Sequence, residues 1–218
     1  MLLFGAHMSI AGGVDKAIDR AEKVDCDAVQ IFTKNNNQWN AKPIPPEQVE
    51  RFQQRQEEAG IRAVVAHDSY LINLASPDDA LWEKSIDAFR VELERCELLG
   101  VPYLVTHPGS HTGAGEEFGI QRVADALNRI HIDLPGYRVM TLLEITAGRG
   151  SALGYRFEQL RAIVDRVAEP ERVGYCFDTC HAFAAGYELR TPEGYAETMD
   201  AFDRILGLAN LRALHLND

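Results

Sequence analysis

The chain has 218 residues, is 46% hydrophobic, and carries 22 basic against 33 acidic side chains, a formal net charge of −11. This length can bury one substantial core, so we expect a single domain over residues 1–218. The acidic balance argues against nucleic acid as a partner, unless several of the acids are metal ligands whose bound cations reverse the sign of the local field.

No apolar run is long enough to span a membrane, and the N-terminus lacks the basic start and long apolar core of a signal peptide. The four cysteines do not have the spacing of a disulfide framework, which predicts reduced cysteines in a cytoplasmic protein. No feature of the sequence indicates an oligomer, so we expect a monomer.

Short apolar runs alternate with amphipathic segments along the whole chain. The predicted strands are Leu2–Ala6, Ala28–Phe32, Ala63–Ala66, Tyr103–Thr106, Met140–Leu143, Gly174–Phe177 and Leu211–Leu214. The predicted helices are Val14–Val24, Pro46–Ala59, Asp78–Leu99, Glu117–Ile130, Phe157–Val167 and Pro192–Leu206. Strands that are apolar on both faces and alternate with helices indicate an α/β fold with a parallel sheet covered by helices.

Seven such strands favour a TIM (β/α)8 barrel over a doubly wound sheet, because side chains at the strand ends then collect at one rim. Gly12-Gly13 is not a glycine-rich phosphate loop, so a dinucleotide-binding fold has no support. A closed barrel has eight strands, and this sequence ends just beyond the seventh. We therefore predict a barrel without its last βα unit.

From the third strand onward, each apolar run is followed by a residue of a type that binds metal. These residues are His67, His107, Glu144, Asp178 with His181 three positions later, and His215. In a parallel barrel all of them point into the same mouth. Any one of them alone is more often structural, but the set predicts a metal site. His131, in contrast, is predicted to be a surface residue after a helix.

Imidazole and carboxylate ligands together suit Zn²⁺, with Mn²⁺ or Fe²⁺ as alternatives for part of the site. The ligands are too many for one tetrahedral ion, and Glu144, on the central strand of the set, is the natural bridge between two ions. Two ions about 3.5–4 Å apart are the usual apparatus for displacement at phosphorus. Glu144 and Asp178 are accordingly the predicted catalytic carboxylates.

Eight short segments form an ordered set along the whole chain. They are Gly5–Ser9, Phe32–Asn35, Gln38-Trp39, His67–Leu74, His107–Ser110, Glu144–Gly148, Phe177–His181 and His215–Asp218. Together they resemble the endonuclease IV family, the zinc-dependent apurinic/apyrimidinic endonucleases of DNA base-excision repair. So many matches in the same order are specific to this family.

The resemblance implies a TIM barrel with a trinuclear zinc site. By position, His67, His107 and Glu144 look like ligands of the first zinc, Glu144, Asp178 and His215 like ligands of the second, and His181 like a ligand of the third. The implied partner is duplex DNA with abasic sites or blocked 3′ ends. The implied reaction is hydrolysis of the phosphodiester 5′ to the abasic site by a metal-bound hydroxide, which leaves a 3′-hydroxyl and a 5′-deoxyribose phosphate. The family also trims blocked 3′ ends.

The resemblance also implies DNA contacts around the barrel mouth. The candidates are Tyr70, Lys34, Asn35, Asn37, Gln38, Arg149 and Arg190. Tyr70 looks like the residue that fills the gap in the opened duplex, and the loop Lys34–Trp39 looks like a segment that enters the minor groove. Each of these side chains can also be interpreted as an ordinary surface group.

The chain departs from the family pattern at three places. Asn37 stands where some members have arginine, and Ile145 follows Glu144 where asparagine is expected. The family continues with an Asp-x-His pair and a later Glu that complete the third and second zinc sites, and this sequence does not contain them. On this expectation the third zinc keeps only His181.

Two other interpretations stay open at this point. A divalent-metal sugar isomerase or epimerase on a related barrel also places His, Glu and Asp at strand ends, but it needs a Lys or His positioned for proton transfer. A catalytically incomplete DNA-binding fragment is the second alternative. The number of metal ions per chain separates the fragment, with one or two, from a complete nuclease, with three.

Overall fold

A computed structural model describes residues 2–217, so Asp218 of the last predicted motif lies outside the described residues. The seven strands form a sheet whose order follows the chain order. The strands are β1 (Gly5–His7), β2 (Ala28–Phe32), β3 (Ala63–His67), β4 (Tyr103–Thr106), β5 (Met140–Glu144), β6 (Val173–Asp178) and β7 (Leu211–His215). The helices are α1 (Asp15–Glu22), α2 (Pro46–Glu58), α3 (Asp79–Leu99), α4 (Glu116–Asp133), α5 (Phe157–Val164), α6 (Thr179–Ala184) and α7 (Pro192–Leu206).

All seven predicted strands and six predicted helices are confirmed, and β2, β4 and α7 have the predicted boundaries. Strands β3, β5, β6 and β7 each run one residue beyond the predicted apolar run, so four of the predicted ligands are the last residues of their strands. The first strand is Gly5–His7 and not Leu2–Ala6. The short helix α6 was not predicted. Within residues 2–217, no helix combines the length and the apolar character that crossing a membrane requires.

The described chain comprises two compact units. Unit 1 takes in the chain up to Leu71, together with Asp87–Leu104 and Tyr137–Met140. Unit 2 takes in Ile72–Ile86, Val105–Gly136 and the chain from Thr141 onward. The single domain over residues 1–218 stays a prediction.

Unit 1 is built on parallel pairing of β1 with β2 and of β2 with β3. The β2–β3 register places Phe32 opposite His67 at the carboxyl ends of the two strands. Helices α1 and α2 pack together, and their residues Ile18 and Phe52 are fully buried. Buried apolar side chains beneath the strands thus fix the positions from which the loops after β2 and β3 leave.

Unit 2 has an aromatic core behind its strands. The rings of Phe157 and Tyr187 stack with centroids 4.1 Å apart, and Phe202 of α7 meets Phe157, Tyr175 and Phe177 edge-on. Such edge-to-face contacts add specific geometry to the burial of large apolar area. The core therefore holds β6, which carries Asp178, in a defined position against α5 and α7.

A register shift between β6 and β7 sets which residue faces Asp178. Tyr175 pairs with Leu211, but Cys176 pairs with Ala213, so Arg212 is passed over. As a result Asp178 lies opposite His215, whereas an unshifted register would place Leu214 there. An irregularity of this kind re-aims the side chains that follow it. Here it brings two predicted ligands together.

The prediction that His131 is a surface residue is wrong. His131 lies within α4, not after it, and is only 4% exposed. It falls on the apolar face of the helix, as do Leu127 and Ile130, which are fully buried. The helix simply continues beyond Ile130 to Asp133, which carries His131 into the core.

Candidate metal centre

The Glu144 carboxylate is the centre of the site in unit 2. It ends β5, and its side chain is almost fully buried. One carboxylate oxygen, Oε1, lies 3.1 Å from Nδ1 of His181 and 3.2 Å from Nδ1 of His215. The other oxygen, Oε2, lies 3.4 Å from Nε2 of His107. A single carboxylate therefore meets three imidazoles that come from three different segments of the chain.

Asp178 occupies two structural roles at the end of β6. Its Oδ1 accepts a hydrogen bond of 2.8 Å from the backbone N–H of His181, which caps the N-terminus of α6. Its Oδ2 lies 3.6 Å from Nδ1 of His215 and 3.9 Å from Nδ1 of His181. The cap turns the chain at the strand end, and the His181 ring then reaches the Glu144 carboxylate at the end of β5.

The donor set fits a divalent ion. Ligand atoms of Glu144, Asp178 and His181 all lie within 4.8 Å of one another, as do those of Glu144, Cys176 and His215. Imidazole and carboxylate groups at such spacing suit zinc and related ions. Burial raises the pKa of the Cys176 thiol to about 11, which makes this side chain a weaker ligand than its neighbours at neutral pH.

The charges of the cluster are strongly coupled. Burial opposes ionisation of Asp178, but hydrogen bonds from His215 and from the His181 N–H hold the pKa of this carboxyl below its usual range. The hydrogen bond to Glu144 raises the pKa of His181. Burial lowers the pKa of His215, yet hydrogen bonds to Asp178, Cys176 and Glu144 outweigh it and raise the pKa to about 12. His215 therefore holds a proton that a metal ion must displace, so metal affinity should increase with pH.

His67 belongs to unit 1, where it ends β3 and is 4% exposed. Its Nδ1 lies 2.9 Å from the backbone oxygen of Asp68. A carbonyl at this distance accepts from an Nδ1–H, which leaves Nε2 as the nitrogen that carries the lone pair. Metal-binding histidines commonly have this tautomer, fixed by the same kind of contact. That His67 binds the same ion as His107 stays a prediction.

Sequence reasoning missed the part played by Asn217. Its Nδ2 donates a hydrogen bond of 2.6 Å to Oδ2 of Asp178. Thr179 fixes the position of Asn217 by exchanging two hydrogen bonds with its backbone, of 2.6 Å and 2.9 Å. The motif His215–Asp218 contained the residue, but spacing alone does not show which strand end an amide reaches. Ile145 stands where the family pattern has asparagine. The Nδ1 of His181 lies 3.0 Å from the backbone oxygen of Ile145, so this contact does not depend on which side chain occupies position 145.

Replacing Asn217 by Ala should weaken metal binding. Asp178 loses the amide that orients its Oδ2, and losing an orienting partner of a ligand typically costs about 10–100-fold in metal affinity or activity. The measurement is zinc affinity by competition with a chromogenic chelator. Asn210→Ala is the matched control, because the Asn210 amide donates to the Leu206 carbonyl before β7, away from the ligands. Equal zinc affinity in both variants would contradict this role for Asn217.

The residues predicted to contact DNA differ in exposure. Asn35, Asn37 and Gln38 are exposed, and Tyr70 is 62% exposed, with its ring edge-on to Phe32 at 5.6 Å. Lys34 is the exception. Only 5% of its surface is exposed, and its ammonium group donates to the backbone oxygen of Gln38 at 2.6 Å. The Lys34 side chain thus points beneath the loop and not out of it, and its contact with DNA stays a prediction.

The two candidate arginines of unit 2 also differ. Arg149 is exposed in the loop after β5. Arg190 is exposed as well, but its guanidinium forms an ion pair of 2.7 Å with Glu188 and lies 4.9 Å above the ring of Phe183. Any phosphate contact by Arg190 must therefore compete with an existing carboxylate partner. Arg149 is the better candidate of the two.

Comparisons with known proteins identify the fold. Residues 18–218 match a family model described as a xylose isomerase-like TIM barrel. The crystal structure of endonuclease IV from Thermus thermophilus superposes with a TM-score of 0.87 at 38% identity, and the match covers 100% of this chain and 77% of that chain. A D-tagatose 3-epimerase-like protein gives a TM-score of 0.72 at 18% identity, which shows a shared fold alone. The predicted TIM-barrel architecture is confirmed.

A relative from Chloroflexus aurantiacus gives the family. This protein, a probable endonuclease 4, is 57% identical over 215 residues, which make up 99% of this chain and 75% of the relative. Identity at this level over almost the whole chain goes far beyond a shared barrel. The chain belongs to the endonuclease 4 family of xylose isomerase-like TIM barrels.

Proposed function

We propose that this chain is a metal-dependent DNA-repair endonuclease. It hydrolyses the phosphodiester 5′ to an abasic site in duplex DNA, leaves a 3′-hydroxyl and a 5′-deoxyribose phosphate, and trims blocked 3′ ends. The observation that carries the proposal is the Glu144 carboxylate, which lies within 3.1–3.4 Å of His107, His181 and His215. Metal-dependent hydrolysis of phosphodiesters commonly uses ligand clusters of this composition.

The proposed metal is zinc, with three ions per complete site and Mn²⁺ or Fe²⁺ as substitutes in part. Bound divalent ions lower the pKa of water and stabilise charge on phosphoryl oxygens. Glu144 and Asp178 supply the anionic oxygens of the site, and their buried positions keep water from competing for them. Following the family resemblance, His67, His107 and Glu144 are assigned to one ion, Glu144, Asp178 and His215 to another, and His181 to the third.

The DNA-facing residues of the proposal are mostly uncharged. Tyr70, Asn35, Asn37 and Gln38 are exposed and offer an aromatic face and amide groups, and Arg149 adds one exposed positive charge. The chain has a net charge of −11, so on balance its side chains repel a phosphodiester. Bound metal ions compensate for this, because they are the largest local charges at the mouth.

Two alternative functions, a sugar epimerase and a DNA-binding fragment, are less well supported or predict a different outcome. The interpretation as a sugar epimerase rests on fold likeness at 18% identity, and fold alone does not fix function. The interpretation as a DNA-binding fragment without catalysis predicts lesion binding without incision. We further propose that the protein acts as a cytoplasmic monomer.

Single-turnover cleavage tests the proposed function. The substrate is a duplex with one tetrahydrofuran abasic analogue, the protein is the zinc-loaded 218-residue chain, and an undamaged duplex of the same sequence is the control. Incision 5′ to the analogue that leaves an extendable 3′-hydroxyl is the expected result. Tight binding of the damaged duplex without incision would establish the DNA-binding fragment. Epimerisation of a ketohexose with no incision would establish the sugar epimerase.

A further inference from the structure

A buried ionic network lies beneath the loop that follows β2 in unit 1. Glu92 of α3 is 1% exposed, and its Oε2 accepts a hydrogen bond from the hydroxyl of Thr33. Its Oε1 lies 3.4 Å from the ammonium group of Lys34, whose side chain is only 3% exposed. A buried carboxylate and a buried ammonium group therefore meet where the strand ends and the loop begins.

Side chains next to this ion pair also donate hydrogen bonds to the backbone of the loop at several points. Lys34 donates to the Gln38 carbonyl at 2.6 Å, which closes the first part of the loop. Arg95, on the next turn of α3 after Glu92, donates to the carbonyl of Thr33 at 3.2 Å and to that of Lys42 at 2.8 Å. The loop is thus held at its first residues, in its middle and at its far end.

A second contact ties this loop to the loop after β3. The hydroxyl of Ser69 donates to the Asn36 carbonyl at 2.6 Å, and Ser69 precedes the exposed Tyr70. Within the first loop, the backbone N–H of Asn37 donates to Oδ1 of Asn35 at 2.9 Å. The backbone of the loop is therefore fixed while its side chains at positions 35, 37 and 38 face solvent.

A contribution to the stability of the fold does not by itself explain why Lys34 and Glu92 form a buried ion pair. Removing two charges from water is costly, and a buried ion pair is often no more stabilising than apolar residues of similar size. Surface loops are otherwise the mobile parts of a fold. A buried pair that fixes loop carbonyls lowers the entropy lost when the loop meets a ligand, which increases affinity without adding a contact.

We infer that Lys34, Glu92 and Arg95 are positioning residues that hold the loop of residues 35–42 in the conformation that engages damaged DNA. The inference rests on the proposed function. Lys34 then acts from beneath the loop and makes no phosphate contact. Recognition by this loop relies on rigid presentation of the amides of Asn35, Asn37 and Gln38.

The double variant Lys34→Met/Glu92→Leu tests the role, because it removes both charges together and leaves neither one buried alone. Arg90→Met is the matched control on the same helix, since Arg90 pairs with the surface acids Asp87 and Glu94. Amide hydrogen exchange of residues 35–42 should accelerate on the order of ten-fold in the double variant, while β2 and α3 exchange as in the parent. The control should match the parent throughout.

DNA binding provides the second readout. The apparent Kd for the tetrahydrofuran duplex should rise on the order of ten-fold, while the single-turnover rate at saturating protein changes little. Unchanged exchange in residues 35–42, or faster exchange throughout the protein, would overturn the positioning role. The exchange measurement needs no DNA. A parent protein that does not bind the damaged duplex would therefore overturn the proposed function, and loop exchange would still decide the positioning role.

Discussion

Replacing Glu144 by Gln is expected to slow incision at a tetrahydrofuran site by roughly 10²–10³-fold or more. The carboxylate contacts three imidazoles, through Oε1 to His181 and His215 and through Oε2 to His107. An amide of the same shape has one oxygen and no charge, and its NH₂ group places hydrogens where an imidazole or a metal ion needs an acceptor. The substitution therefore removes the negative charge that the three imidazoles share, without changing the size of the side chain.

The measurement is the single-turnover rate together with the zinc content per chain after dialysis. Zinc content should fall along with the rate, because the proposal assigns the Glu144 carboxylate to two of the three ions. Glu83→Gln is the matched control, since Glu83 forms an exposed ion pair of 2.7 Å with Arg129, and such pairs contribute little. A Glu144→Gln protein that keeps full zinc and the parent rate would exclude Glu144 as the central ligand.

The sequence located the strand ends that carry the predicted ligands, because a strand end depends on a short-range pattern. A buried strand is an apolar run, and the polar residue that ends it marks the rim of the barrel. His67, Glu144, Asp178 and His215 are the last residues of their strands, as this pattern requires. The pattern locates a residue along the chain. It does not say which side-chain atoms come into contact, since that depends on the register between strands.

Tertiary contacts explain what the sequence did not show. Asp178 pairs with His215 only because the register shifts at Arg212, and no local signal marks this shift. Helix α6 is six residues long, too short for a periodic pattern, and its capping residue is Asp178 itself. Asp178 was predicted as a ligand, and the structure also shows it as the cap of this helix.

Lys34 shows the same limit for charged side chains. A lysine in a predicted rim loop is typical of a phosphate contact. Its partner Glu92 lies far along the sequence, in α3, so only the folded structure reveals the buried pair. The neighbouring Asn35 and Gln38 are exposed as the prediction requires, because their side chains stay on the solvent side of the loop.

Acidification is expected to destabilise the protein through His131. Burial, together with the positive charge of Arg172, lowers the pKa of this imidazole to about 4, although Glu169 and Glu171 act in the opposite direction. Its Nδ1 has no hydrogen-bond partner among the described residues, and the ring is 4% exposed. Protonation in the folded state would thus place a positive charge in the core beside a guanidinium group.

The sign of the effect follows from proton binding. In the unfolded chain His131 takes up a proton near its ordinary pKa of 6.5, whereas the folded protein does so only near pH 4. Between these values the unfolded state binds more protons, so the free energy of unfolding falls as the pH decreases. A pKa difference of this size corresponds to about 3 kcal/mol, which is lost progressively from about pH 6.5 down to about pH 4.

Urea unfolding at a series of pH values measures this loss, with the parent compared against His131→Gln. Glutamine stays neutral throughout, so the stability of the variant should depend less on pH, and the difference between the two proteins should change by about 3 kcal/mol in favour of the variant between about pH 7.5 and about pH 4. The other titrating groups, including those of the Glu144 cluster, are common to both proteins and cancel in the difference. Parallel curves for parent and variant would show that His131 does not couple folding to pH.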